Sequence, residues 1–139
     1  MIIQPLQAAI YTALNADSAL ADLITGVHYF VPQDERQSSA GIFPFVEIGD
    51  TTNTTLDTHE SNGFLTEFTL EIWSRYKGAK ETAKIMDEIY RIFHRQQIAV
   101  EGYNTSTCSQ TAANINRDSD GITMHGVQKF EVYSSVILT

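Results

Sequence analysis

Four histidines, one cysteine and 17 acidic side chains are the residues here with chemistry to offer. His28, His59, His94 and His125 share no H-x-x-x-H spacing, so they supply no paired metal ligands. Asp118-Ser119-Asp120-Gly121 has the alternating aspartates that open a calcium loop. Such a loop also needs a bidentate acid at its twelfth position, and counting from Asp118 that position is Lys129. A hairpin turn on Asp120-Gly121 is the better account, because glycine accepts positive φ. Cys108 sits in a Ser/Thr-rich stretch with no basic neighbour to lower its pKa, and it reads as a small buried hydrophobe rather than a nucleophile. Carboxylate pairs such as Glu47/Asp50 and Asp57/Glu60 exist, but nothing marks either as a general acid and base. G-x-S-x-G, Walker A and G-x-G-x-x-G motifs are absent. The residues therefore predict a protein that is not an enzyme, with no cofactor and no metal.

The elements that must position these residues are clearer. In FLTEFTLEIWSRY, Phe64, Phe68, Leu70 and Ile72 alternate with Glu67, Thr69, Glu71 and Arg75, the pattern of a half-buried strand. Past Gly78 the period becomes helical, with Ala79, Ala83, Met86, Ile89, Tyr90 and Phe93 as the expected buried stripe. Residues 2–15 predict a first helix buried through Leu6, Ala9, Ile10, Ala13 and Leu14, with Pro5 tolerated in its first turn. Asp17 is the expected N-cap of a short helix over 18–24, ended by Gly26. Short strands are expected at 27–31 and from Phe45 to about Thr52, separated by a polar loop over 33–42. Residues 105–117 read as a long weak strand burying only Cys108, Ala112, Ala113 and Ile115. Residues 127–138 return as a strong one, with Phe130, Val132, Val136 and Leu138 on one face. The fold class is α+β: a two-layer, antiparallel sheet of two β-hairpins packed against one main helix, with an N-terminal helical segment.

Length and charge set the outer limits. The 139 residues form one domain over 1–139 in this reading, large enough for its own core. Segment 51–63 (TTNTTLDTHESNG) offers only Leu56 as a large aliphatic, so it is either a polar hairpin arm or a mobile loop. The N-terminus lacks a basic region and carries Asp17 and Asp22, which argues against a signal peptide. No stretch approaches the roughly 20 apolar residues needed to cross a bilayer. The formal net charge of −8 argues against gripping a phosphate backbone. It still permits a role beside DNA without binding it, since a channel that DNA slides through works better with a wall that repels phosphates.

Taken in order, LQAAIYTALNADSALADLI, VPQ, FPFVEIGD, FTLEIWSRYKGAKETAKIMDEIYRIFH and RDSDGITMHGVQKFEVYS make a pattern over nearly the whole chain. Its most specific parts are Pro44-Phe45-Val46 with Gly49-Asp50, Ile72 to Arg75 with Gly78, and Arg117-Asp118 through Asp120-Gly121 to His125-Gly126. The pattern resembles the tail completion proteins of long-tailed bacteriophages and prophages, also called tail terminators or tail-to-head joining proteins. That resemblance implies a structural virion protein with no catalytic residues. It implies a homo-oligomeric ring, commonly a hexamer, at the head-proximal end of the tail. The ring would end tail-tube polymerisation and meet the tail tube protein on one side and a head connector on the other. DNA would pass through its lumen without specific binding. The implied location is the head–tail junction of the virion, and the host cytoplasm during assembly. The 51–63 and 33–42 segments depart from the family's pattern.

Candidates for lumen or subunit-interface positions are Asp50, Asp57, Glu60 and Glu67, chosen for charge and expected exposure. Trp73 and Tyr76 are either core or aromatic anchors for a partner subunit, with core favoured. Two other readings stay open from sequence: a head–tail connector or adaptor of the same particle, and a small acidic binding domain unrelated to phage.

Overall fold

The computed structural model describes residues 2–31, 42–57 and 62–137. Helix α1 (Ile3–Ala16) is followed by the single turn α2 (Ser18–Ala21) and strand β1 (Gly26–His28). Strands β2 (Phe45–Thr55) and β3 (Gly63–Ser74) form a long hairpin. Helix α3 (Lys80–Phe93) then leads to β4 (Tyr103–Thr105), β5 (Ser109–Arg117) and β6 (Met124–Val136).

The protein is α+β, but the two expected hairpins are not separate units. β3 and β6 pair antiparallel from Gly63↔Ser135 to Ser74↔Met124, and this joins them into one six-stranded mixed sheet. Along it the order is β1-β2-β3-β6, and the far side of β6 is shared by β4 and β5. β1 runs parallel to β2, the one departure from an antiparallel sheet among the described strands. Alternation could give each strand a buried face, yet it says nothing of which strand lies beside which.

α1 and α3 cover one face of the sheet. Phe68 stacks on Phe130 with centroids 5.4 Å apart, and Phe93 of α3 meets Phe68 edge-on at 5.9 Å. Leu6, Ile10 and Leu14 of α1 join the same core, as their spacing predicted. In α3 the stripe is Thr82, Ile85, Met86, Ile89 and Phe93. Ala79 and Tyr90, expected inside, are exposed, so the buried face lies about one residue's rotation from the predicted one. Gly126 of β6 lies under this helix. A Cβ there would stand 2.7 Å from Met86 Sδ and 2.8 Å from Thr82 Cγ2.

Other boundaries shifted for local reasons. The Asp17 carboxylate caps α2 by accepting from the Leu20 N–H at 3.0 Å, as expected, but the helix stops at Ala21. The single strand expected over 105–117 is broken at 106–108. There Cys108 turns inward, donating its N–H to the Gln96 carbonyl and accepting from the Arg95 N–H. Ala112 and Ala113, expected to be buried, are exposed. Residues 51–55 of the polar segment are strand, paired with 64–68. Residues 58–61, nearly all of the 33–42 loop, and Leu138 lie outside the described residues.

Candidate functional site

The face of the sheet opposite the helices is the distinctive surface. Each strand sends alternate side chains to it: Glu67, Thr69 and Glu71 from β3, Val127, Lys129 and Glu131 from β6, Thr52 and Thr54 from β2, and Asn114 and Asn116 from β5. Among the described residues, the covering on this side is confined to one end, where Val31, Ile42 and Phe43 pack on Phe45 and Trp73. Elsewhere the face is bare and acidic. Glu67 stands directly across from Glu131, and Glu47 directly across from Glu71. Opposed like charges on adjacent strands destabilise a sheet.

The two pairs are handled differently. Glu47 is buried, and its Oε2 accepts the Val31 N–H at 2.8 Å, which ties the chain after β1 to the sheet. Glu71 Oε1 lies 3.1 Å from His125 Nε2. The His125 ring is stacked on Trp73 with centroids 3.8 Å apart and planes 6° from parallel. Glu67 is exposed and Glu131 partly so, and neither has a hydrogen-bond or ion-pair partner among the described residues. Lys129, the adjacent outward residue of β6, offsets part of their repulsion, and water screens the rest.

Beside the Trp73 end lies an open crevice of about 600 Å³ lined by Tyr29, Phe30, Glu47, Asp50, Glu71, Trp73 and His125 among others. Its two glutamates are already committed to Val31 and His125. Among the described residues, no group of three or more His, Cys, Asp or Glu side chains is placed to hold a metal ion. The Asp120 turn is structural: Oδ1 accepts from the N–H groups of Ile122 and Thr123, Oδ2 accepts from Thr123 Oγ1 at 2.6 Å, and Gly121 takes φ +76°. Those bonds, Thr123's first, hold the Asp120 carboxyl below its ordinary range. Cys108 is buried, and burial raises its thiol to about 12, the opposite of an activated nucleophile.

The six predicted positions separate. Glu67 lies on the bare face; Asp50 is exposed beside Gly49, where the β2–β3 register shifts. Asp57 is exposed just past β2, and Glu60 lies outside the described residues. Trp73 is core, though on the side away from the helices. Tyr76 is 50% exposed and is no part of any core, because the strand ends at Ser74 and releases it to solvent. Sequence reasoning missed Glu131 as Glu67's partner. The alternation marks each as outward-facing, but their opposition depends on the β3–β6 register.

The sequence matches the family model of the tail completion protein gp17 over residues 8–135, and the chain belongs to that family, a structural family of bacteriophage virions. A comparison with curated proteins finds no significant match. The fold is shared with a chain from the virion of a native gene transfer agent particle, at a TM-score of 0.85 and 17% identity, covering 96% of this chain and 97% of that one. It is also similar to the gp17 protein of bacteriophage SPP1, at a TM-score of 0.51 and 18% identity, covering 98% and 91%. Among the described residues, no helix is long and apolar enough to cross a membrane.

Proposed function

We propose that this protein forms a ring, a hexamer in the family's common pattern, at the head-proximal end of a phage tail. There it ends tail-tube polymerisation and joins tail to head, contacting the tube protein on one side and a head connector on the other. The bare acidic face of the sheet lines the lumen through which DNA passes. The observation that carries this reading is the Glu67–Glu131 pair, opposed across β3 and β6 with no hydrogen-bond or ion-pair partner among the described residues. A wall of fixed negative charge repels phosphates and keeps DNA from sticking as it moves. Family membership supports the assignment to a phage particle over an unrelated acidic domain.

Native mass spectrometry across concentration, with purified tail tubes present and absent, tests the ring; a closed oligomer, alone or on the tube, is the expected result. Binding to portal-bearing heads without capping of tubes would replace the terminator by a connector role. The lumen is tested by Glu67→Lys with Glu131→Lys. The expected outcome is particles that assemble but eject DNA slowly, with the defect easing at high salt. Unchanged ejection would place the acidic face elsewhere.

A further inference from the structure

The sheet ends in two edges that no described strand covers. β1 pairs with β2 only through Glu47, so beyond Ile48 that side of β2 is bare. β5 pairs with β6 on one side and with no described strand on the other. In an antiparallel ladder, opposed residues alternate between exchanging both hydrogen bonds and directing them away from each other. The Leu56 N–H to Gly63 carbonyl bond, 2.7 Å, sets that phase for β2. Thr52 and Thr54 then bond to β3, while Thr51, Asn53 and Thr55 turn their N–H and C=O outward. The Asp118 N–H to Thr123 carbonyl bond, 2.7 Å, sets the phase for β5. Asn114 and Asn116 bond to β6, while Ala113, Ile115 and Arg117 turn outward.

The two edges match. Each offers three outward residues. They run in opposite directions, because three antiparallel steps separate β2 from β5. In both, the outward residues carry their side chains on the helix side: Ala113, Ile115 and Arg117 oppose Gln128, Gly126 and Met124, and Thr51 and Asn53 oppose Phe68 and Thr66, which are buried beneath the helices. A second copy can therefore add its β2 to β5 without turning over. Nothing charged from Ser109 to Asn116 guards the edge against pairing.

We propose that residues 51–55 of one copy pair antiparallel with residues 113–117 of the next, with Ala113 opposite Thr55, Ile115 opposite Asn53 and Arg117 opposite Thr51. This rests on the ring reading above and names its contact. The contact is head-to-tail, so it closes when the turn per copy divides a full circle. It keeps every helix on one side of the continuous sheet and every bare acidic face on the other.

In this register Asn114 faces Thr54 of the neighbour as a non-hydrogen-bonded pair, with Cα atoms about 4.5 Å apart, a separation a disulfide spans. Both residues are exposed, and Cys108 is buried. Oxidation of Asn114→Cys with Thr54→Cys in one chain should give a covalent ladder rising to the ring number on a non-reducing gel, and each single variant should stay uncrosslinked. A closed oligomer whose double variant does not crosslink overturns this pairing while leaving the ring intact. Asn114→Cys alone forming a covalent dimer overturns it in favour of β5 pairing with itself. No oligomer, on tubes or off them, removes ring and pairing together. Ala113→Pro gives a second test, deleting one outward N–H while sparing the β5–β6 ladder. It should melt like the parent yet associate at least about tenfold more weakly; parental association with parental melting also overturns the pairing.

Discussion

Asp17 links two helices through one carboxylate. It caps α2, and it accepts two hydrogen bonds from Arg91 Nη2 of α3 at 2.8 and 2.7 Å. The Arg91 bond first, then the Leu20 N–H, hold its carboxyl below the ordinary value. A lowered folded-state pKa adds stability that is complete above the unfolded value and lost as pH falls through the folded one. Asp17→Ala should therefore destabilise the protein by about 1 kcal/mol at neutral pH, as cap removal does. In urea titrations the gap to the parent should close as pH drops below about 4. The cap was legible in the sequence because it is local. The Arg91 contact was not, since 74 residues separate the pair. Cys108 works in the other direction. Its raised thiol favours the folded state below about pH 9, and that contribution fades as pH climbs toward 12. Iodoacetamide at pH 8 should leave native Cys108 unlabelled and modify it fully in denaturant; labelling at equal rates would contradict its burial.

At the scale of elements, α3 is seated by an absent side chain. Gly126 lets Met86 and Thr82 approach the β6 backbone, and Gly126→Ala should cost about 1–3 kcal/mol by overpacking, read as a lower melting temperature. A small residue on that face is invisible to hydrophobic patterning, which counts what is large and apolar. The same blindness moved the predicted α3 stripe toward Tyr90, whose ring instead stacks on His94 at the surface, 4.4 Å between centroids. Strand alternation was a better guide, because period 2 admits only two faces. It placed Phe68, Leu70 and Ile72 correctly and left Glu67 outward. Trp73 shows where alternation stops: it lies among the outward residues, yet Phe45 and Val31 bury it.

For the whole molecule, the acidic face sets stability against use. Glu131→Lys would replace a repulsive cross-strand pair by an attractive one, for a gain of about 0.5 kcal/mol. The variant should melt higher than the parent and, on the lumen reading, should slow DNA passage. An unchanged melting point would show that water already screens the pair. The α+β class and the strong alternation of β3 and β6 were legible in the sequence, since each is a property of a local pattern. The mixed sheet and the bare edges were not, because they depend on which distant segments meet. One such meeting bears on the order of events during synthesis. β5 pairs with β6 and with no other described strand, while β3 reaches β6 across an intervening helix and two strands. Contacts so far apart in sequence form late. A nascent chain that has not yet emerged through Glu131 can offer no fully paired β5 to a neighbour, so recruitment of the next copy waits until β6 is in place.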